Sequence, residues 1–477
     1  MNDRNSLVIL FAAFTILPSG VTANEFSVTP LTADEQSMLA AIEEKSVLAT
    51  VSFLASDEMN GRDTPSTELN IAARYVADRF LKAGLAGLGP DGSFFQTTEL
   101  FQTSGPATKA ILSTNSPKNI PLPVFTGIND ALKIHGVVTV DAADKTELQT
   151  NQKSEIFAMD ELKLPPQAAD SPLAALVTYV RHTAALVRKG AKVVLVRVSD
   201  DSILYDAATA FQMQQISIPA QFEPQCAIVL VSKTLDLNGE VSLEIPANVR
   251  KGSSVYNVIG VLRGSDPDSA SKAVIISAHL DHIGLAQRGE DKINNGADDN
   301  ASGVTGVLTL ADAFGKLKDR PRRSMIFMTF WGEEKGLLGS KHFAAEPLWK
   351  LEDIVCNVNL EMIGRPEENA EGKAWGTGWP HSSLGPQMAA GANRVGVTIF
   401  NHEQFGEMLY TRSDNASFVA KGVIAHSFSA GSLHSDYHQP TDEVAKLNIP
   451  HMTRVIQGMA AGILPIARGE LTPTKTR

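Results

Sequence analysis

The chain has 477 residues, 43% of them hydrophobic and 20% charged, which is typical of a soluble globular protein of two or three domains. Its formal net charge of −11 argues against a nucleic-acid partner, because phosphate binding requires a basic surface. Cys226 and Cys356 are too few for a disulfide framework, and neither has a CxxC partner. We expect two free buried thiols, with pairing in an oxidising compartment as the alternative, and any metal must be held by histidine and carboxylate.

The first 23 residues predict an export signal. The apolar run SLVILFAAFTIL (6–17) is too short to span a bilayer, which requires about 20 apolar residues, but it has the length of a signal-peptide core. Small residues at 21–23 suit the cleavage positions. We therefore expect cleavage after Ala23, a periplasmic or secreted location, and no membrane span.

Two helical patterns follow, separated by the polar loop 56–66. Thr32 and Glu35 form a capping-box pattern in front of an apolar periodicity that predicts a helix over 32–56. A second helix is predicted over 68–85. The residues expected on its apolar face are Ile71, Ala72, Tyr75, Val76, Phe80 and Leu81.

The character of the sequence changes between residues 110 and 248. Short β-type runs at 135–140, 192–198 and 226–231 accompany a helical stretch near 172–189. His135 and His182 lie in this region, without a cluster of further ligands. We interpret it as an inserted domain that does not carry the chemistry.

After residue 252, apolar strands alternate with amphipathic helices. The predicted strands are 254–262, 272–280, 324–331, 353–363, 396–401 and 422–428, and the predicted helices are 303–317, 337–346 and 449–467. This alternation predicts an α/β domain with a mostly parallel central sheet flanked by helices. Ligands of such sheets bind beyond the carboxyl ends of the strands.

Histidines and carboxylates recur at those strand ends. They occur in the strings AHLDHIG (278–284), GADDNASG (296–303), FWGEEKGLLGS (330–340), NLEMIG (359–364) and YHQPTDE (437–443). Imidazole with several carboxylates suits zinc, and three or more carboxylates suit two metals that share an oxygen ligand. Glu333 and Glu334 follow a strand as neighbours and point in different directions, so one can bind metal while the other acts as a general base.

These strings resemble, in order and approximate spacing, the metal-site segments of the co-catalytic zinc aminopeptidases related to glutamate carboxypeptidase. The resemblance extends over about residues 35–465 and implies a zinc-exopeptidase-type domain with an inserted, β-rich, protease-associated-like domain. The domains implied are a signal peptide at 1–23, the first part of the peptidase domain at 24–109, the insertion at 110–248, the main part at 249–468 and a polar tail at 469–477.

The resemblance also implies the ligands of two zinc ions. Asp299 would bridge both metals, with Asp298 the less suitable neighbour. The remaining ligands would be Glu334 and His438 for one ion, and His279 and Glu361 for the other.

Three further residues receive catalytic roles from the same resemblance. Glu333 would be the general base, Asp281 would orient His279, and Tyr437 would hydrogen-bond the developing oxyanion. Glu361 departs from the aspartate that many members carry, and Asn415 stands where many have histidine. The histidines that match no ligand position are expected to be structural or exposed: His282, His342, His381, His402, His426, His434 and His451.

The leading interpretation is a secreted dizinc exopeptidase that removes amino-terminal residues from a peptide or dipeptide substrate. A carboxypeptidase or dipeptidase of the same fold is the alternative, with Arg62, Arg365 and Arg412 as candidates for binding the substrate carboxylate. A receptor-like scaffold without activity is a more distant alternative, which the complete ligand set disfavours.

Overall fold

The computed structural model describes residues 26–476, except for 104–108, 114–119, 127–130, 141–153, 165–171, 201, 203, 206–216, 220–225, 247–249 and 287–288. The predicted export signal at 1–23 lies outside the described residues. The chain folds into two compact units. The sheet unit comprises residues 26–63, 71–96 and 257–476, and the barrel unit comprises 64–70 and 97–256.

The barrel unit is built around a closed barrel. Its strands are β3 (Lys109–Ser113), β4 (Ile120–Thr126), β5 (Leu132–Val140), β6 (Ile156–Asp160), β7 (Val193–Val198), β9 (Ala227–Ser232) and β10 (Glu240–Ile245), in the order β10-β3-β4-β9-β7-β6-β5. Outside the barrel, β8 (Ser217–Pro219) pairs antiparallel with β2 (Phe95–Thr103). The helix predicted near 172–189 is present as Pro172–Arg188, and Tyr179 from it is fully buried with Val194 and Ile228.

The sheet unit has a parallel centre with antiparallel margins. Its strands are β1 (Ala86–Gly87), β11 (Arg250–Leu262, shared with the barrel unit), β12 (Ala273–His279), β13 (Ser324–Phe330), β14 (Ile354–Leu360), β15 (Lys373–Gly376), β16 (Thr398–Asn401) and β17 (Ala425–Ser429). The order is β16-β15-β17-β14-β12-β13-β11, and β13, β12, β14 and β17 run parallel. Every residue of β12 and β13 is buried, as expected for apolar strands covered on both faces.

The longer helices of the sheet unit are α1 (Ala33–Ala40), α2 (Glu44–Leu54), α5 (Gly303–Gly315), α6 (Leu338–Ala345), α7 (Leu384–Ala392) and α10 (Ile449–Ala467). Further α-helices in the described part of the chain are α3 (Thr67–Lys82), α4 (Pro172–Arg188), α8 (Phe405–Met408) and α9 (Asn415–Val419). Helix α5 packs against β12 and β13, and α10 packs against α7 and α2. The predicted bounds of α10 are confirmed.

Two of the helix predictions were wrong in detail. The helix predicted over 32–56 is two helices, α1 and α2, because Glu43 adopts an extended conformation between them. At this break the carbonyls of Leu39 and Ile42 accept hydrogen bonds from the side-chain amide of Gln457. In α3, Ile71 and Leu81 are exposed, so the buried stripe is narrower than the sequence suggested.

The two thiols match the prediction. Cys226 and Cys356 are buried and free, so no disulfide links them. Among the residues that the structure describes, no helix combines the length and the apolar character needed to cross a membrane.

Candidate metal centre

The predicted site residues meet at one edge of the sheet unit. Strand β12 ends at His279, β13 is followed by Glu333 and Glu334, and β14 is followed by Glu361. Because these strands are parallel neighbours, their carboxyl ends share one edge, and side chains distant in sequence converge there.

The loop 296–302, which directly precedes α5, brings Asp299 to this edge. Asn300 fastens the loop to the end of β14, since its amide donates to the carbonyl of Leu360 at 2.9 Å and its oxygen accepts the N–H of Met362 at 3.1 Å. A Cβ at Gly303 would lie 2.4 Å from the same Leu360 carbonyl, so the close approach requires glycine. Asp299 is thereby held next to Glu361.

Two clusters of metal-competent atoms result, and Asp299 belongs to both. One consists of His282, Asp299, Glu334 and His438, and the other of His279, Asp299 and Glu361, with each set of ligand atoms within 4.8 Å of one another. The structure thus brings together all five residues that the sequence singled out as ligands.

The carboxylate of Asp299 is shared between two histidines. Its Oδ1 lies 3.2 Å from Nε2 of His279, and its Oδ2 lies 3.2 Å from Nε2 of His438. Each of these nitrogens also faces a second carboxylate: Glu361 at 3.1 Å from His279, and Glu334 at 3.1 Å from His438. One oxygen of Asp299 is therefore directed to each cluster, as a bridging ligand requires.

The state of His438 supports a cation at this position. Its Nε2 is buried and, among the described residues, has no hydrogen-bond partner of acceptable angle, although it faces two carboxylate oxygens. Burial opposes protonation of this imidazole, but the carboxylates of Asp299 and Glu334 outweigh it and raise the pKa of His438 to about 10. Burial likewise opposes protonation of His279, but the nearby carboxylates, Glu361 most strongly, hold the pKa of His279 well above its usual value. The carboxylates thus concentrate negative charge around both imidazoles, which a bound cation would neutralise.

His282 is a site residue that sequence reasoning missed. Its side chain is fully buried, and its Nδ1 hydrogen-bonds to Oε1 of Glu334 at 2.7 Å and lies 3.8 Å from Oδ2 of Asp299. The available signal was its position in AHLDHIG, three residues after His279. It is thus placed either to orient Glu334 or to bind metal directly.

Asp281 contacts both His279 and Glu333. The Nδ1 of His279 lies 3.0 Å from the backbone carbonyl of Asp281 and 3.8 Å from its carboxylate, so the backbone group makes the closer contact. The carboxylate instead accepts the backbone N–H of Glu333 at 3.1 Å. Asp281 thus links the end of β12 to the residue predicted to be the general base.

Glu333 belongs to neither ligand cluster but lines the cavity beside them. Burial raises the pKa of its carboxyl well above the usual value, and Asp414, Glu361 and Glu334 raise it further. Tyr437 also lines the cavity and stacks on His438 with ring centroids 3.9 Å apart. Burial and the nearby carboxylates raise the pKa of Tyr437, so its phenol keeps its proton.

A cavity of about 90 Å³ lies next to the clusters. At one end it is lined by His279, Asp299, Glu333 and Glu361. Elsewhere its wall includes several serines and the apolar side chains of Trp375, Phe405, Leu409 and Leu433. The site therefore combines an acidic end with an apolar wall.

The three candidate arginines are placed very differently. Arg62 is buried and donates to backbone carbonyls, including those of Leu280 and Asn295. Arg365 pairs with Asp436 at 2.8 Å. Arg412 lines the cavity and is the member of this trio that a ligand there would meet.

Two further buried acids lie near the centre and were not identified from the sequence. The carboxylate of Asp442 accepts the N–H groups of Asp298 and Asp299 at 3.1 Å, and burial raises its pKa to about 6. Asp414 is fully buried, and burial raises its pKa to about 7. The role of Asp442 has no local signal, since it depends on contacts with a distant segment.

The comparisons with known proteins agree with this geometry. Residues 257–463 match the model of Peptidase family M28. An aminopeptidase of Pseudomonas aeruginosa is 26% identical over 279 residues, covering 52% of this chain and 48% of that protein. A probable zinc metalloprotease of Pyrenophora teres is 33% identical over 112 residues, 23% of each chain. The chain thus spans at most about half the length of these curated relatives.

A solved structure confirms the fold-class prediction. The aminopeptidase from Aneurinibacillus sp. strain AM-1 superposes with a TM-score of 0.51 at 20% identity, covering 91% of this chain and 96% of that one. The mixed α/β sheet with flanking helices is common to both. All the metal-site strings identified in the sequence lie within residues 257–463, the segment that matches the model of Peptidase family M28.

Proposed function

We propose that the chain is an exported dizinc exopeptidase that releases residues from the amino terminus of peptides. The observation that carries the proposal is the placement of Asp299, whose two oxygens face different histidines, each beside a further carboxylate. The family match and the names of the relatives support peptidase chemistry. Export rests on the predicted signal at 1–23.

Zinc suits the donor atoms present. His279 and Glu361 would hold one ion and His438 and Glu334 the other, with Asp299 shared, because imidazole nitrogen and carboxylate oxygen are common zinc ligands. Zinc bound there would polarise the peptide carbonyl as a Lewis acid and lower the pKa of water to about 7.

We assign the proton transfer to Glu333. It lines the cavity without belonging to a ligand cluster, so its carboxylate is available to take a proton from the attacking water and deliver it to the leaving amine. Its raised pKa brings its basicity closer to that required of a general base near neutral pH. The protonated phenol of Tyr437 supplies a hydrogen-bond donor for the oxyanion.

The charge pattern of the cavity favours an amino-terminal substrate. Glu333 at its metal end belongs to neither ligand cluster, so its carboxylate is available to attract the free ammonium group of a peptide. The wall formed by Trp375, Phe405 and Leu409 offers apolar surface to the adjoining side chain.

Carboxypeptidase or dipeptidase activity is the second candidate, and Arg412 is the observation that favours it. A guanidinium on the cavity wall can pair with a terminal carboxylate in a bidentate manner. For a carboxypeptidase or dipeptidase, Arg412→Met would abolish binding of substrates with a free carboxyl terminus. An aminopeptidase that carries Arg412→Met would still hydrolyse an amide substrate, which has no terminal carboxylate.

The deciding experiment compares Leu-p-nitroanilide with its N-acetylated form, before chelation, after chelation and after zinc is restored. The proposal predicts cleavage of the free-amine substrate, loss on chelation and recovery with zinc. Hydrolysis of N-acylated peptides with a free carboxyl terminus, without release of amino-terminal residues, would replace it by the second candidate. Absence of zinc-dependent hydrolysis of any of these substrates would contradict both.

A further inference from the structure

A chain of buried hydrogen bonds runs beneath the candidate metal centre and ends on Glu361. Its members come from β12, β14, β17 and the segment 413–415, and each is at most 6% exposed. They are Ser277, Asn357, Asn359, Ser413, Asn415 and Ser427. So many polar side chains are buried together only when they satisfy one another.

Glu361 fixes the direction of every bond along this chain. A carboxylate oxygen accepts, so the hydroxyl of Ser413, 2.6 Å from Oε2 of Glu361, must donate to it. That hydroxyl then accepts from the Asn359 amide nitrogen at 3.0 Å. The amide oxygen of Asn359 in turn accepts from Ser277 at 2.8 Å, and Ser277 accepts from the amide of Asn357 at 2.8 Å. In this branch, from Asn357 to Ser413, all the donors therefore point toward Glu361.

A second branch leaves the same amide and leads away from Glu361. The Asn359 amide nitrogen also donates to Ser427 at 3.1 Å, and Ser427 donates to the oxygen of Asn415 at 2.9 Å. The amide of Asn415 ends the branch on the carbonyl of Tyr410 at 2.7 Å. Ser413 and Ser427 thus hold equivalent positions next to Asn359 but end on different groups.

We infer that Ser413, held by Asn359, is a positioning residue that fixes the Glu361 carboxylate for metal binding. Its bond occupies Oε2 and leaves Oε1 directed toward His279 at 3.1 Å, where the second cluster converges. A glutamate has more rotatable bonds than an aspartate, so holding it in advance removes an entropy cost from metal binding. Aligned donors also polarise one another, which strengthens the terminal bond. The inference rests on the proposed function.

The test measures the stepwise zinc affinities of the full chain by competition with a chromophoric chelator. The variant Glu361→Gln first identifies which of the two zinc-binding steps depends on this carboxylate. The isosteric pair Ser413→Thr and Ser413→Val then isolates the hydroxyl, because any cost of the larger side chain is common to both. We expect Ser413→Val to bind the Glu361-dependent zinc about 10- to 100-fold more weakly than Ser413→Thr, with the other step unchanged.

Two controls separate positioning from general damage. Ser427→Ala removes the other acceptor of the Asn359 amide and should leave both zinc affinities unchanged. In a Glu361→Gln background, Ser413→Val should cause no further loss. Denaturation midpoints establish that each variant is folded, and Ser413→Ala provides a smaller replacement if valine is not accommodated.

Equal affinities in Ser413→Thr and Ser413→Val, or an equal loss in Ser427→Ala, would overturn the inference while leaving the proposed function intact, provided that the wild type binds two zinc ions. A wild type that binds no zinc would overturn the proposed function together with the inference.

Discussion

The carboxylate of Asp281 accepts the backbone N–H of Glu333 at 3.1 Å. This bond joins the end of β12, where His279 lies, to the segment that follows β13. The proposed general base therefore has its main chain fixed by a residue two positions from a proposed zinc ligand. Moving either strand end would displace both groups together.

Replacing Asp281 should affect catalysis through the position of Glu333. We expect Asp281→Ala to lower kcat by about 10- to 100-fold, because the backbone of Glu333 loses its acceptor, with little change in zinc content, since His279 contacts the backbone carbonyl of residue 281. Asp281→Asn keeps an acceptor oxygen and should retain more activity. Equal kcat for Asp281→Ala and the wild type would contradict this role.

Glu333→Gln should separate metal binding from proton transfer. Glutamine has nearly the same shape but cannot accept the proton, so kcat should fall by about 10²- to 10⁴-fold. The zinc content should stay at the wild-type value, because Glu333 belongs to neither cluster. Steady-state kinetics with metal analysis of the same preparation measures both. Retained activity, or loss of zinc in parallel with activity, would show that Glu333 has another role.

His282→Ala should weaken the site that contains Glu334. His282 hydrogen-bonds Oε1 of Glu334 at 2.7 Å, so its removal frees that carboxylate and lowers zinc affinity by about 10- to 100-fold. The zinc affinity of the binding step that depends on Glu361 should change much less. Stepwise competition with a chelator measures the two affinities separately. Unaltered affinity at both steps would assign His282 to packing.

His426 should make the fold sensitive to mild acid. It is 1% exposed in β17, its Nδ1 contacts the Thr377 carbonyl and its Nε2 lies 2.6 Å from the Ser382 hydroxyl. Burial lowers the pKa of His426 to about 4, whereas an unfolded chain titrates near 6.5. Between these values the unfolded chain binds more protons, so stability present above pH 6.5 falls as the pH decreases toward 4, by up to about 3 kcal/mol.

Denaturant unfolding of metal-stripped wild type and His426→Gln at pH 7 and pH 4.5 measures this effect. The loss of stability between the two pH values should be smaller in the variant. His182→Gln, at an exposed histidine of α4, serves as the control and should behave as the wild type. An identical acid-induced loss in His426→Gln would exclude His426 as its source.

The elements that could be predicted from the sequence are those whose apolar pattern is visible within a single segment. The buried strands β12, β13 and β14 and the helix α10 were predicted because unbroken apolar runs and a helical period are visible within one segment. Their parallel order then predicted that His279, Glu334 and Glu361 would meet at one edge, and they do.

Contacts between segments that are distant in sequence could not be predicted from such local patterns. The break before Glu43 is compensated by Gln457, which lies more than 400 residues away. Asp442 binds the N–H groups of the loop that carries Asp299, and no local pattern around residue 442 encodes that contact. The buried chain from Asn357 to Glu361 likewise looks in the sequence like scattered serines and asparagines, because its order exists only after the strands pair.

The most direct test of the shared role of Asp299 is the zinc content of the wild type and of Asp299→Asn, each stripped with chelator, reloaded with zinc and desalted. The account predicts two zinc ions per chain in the wild type, one for each cluster, and weakened retention of both in the variant, because one side chain contributes an oxygen to each set. One zinc ion in the wild type, or loss of a single ion in Asp299→Asn, would contradict a shared carboxylate.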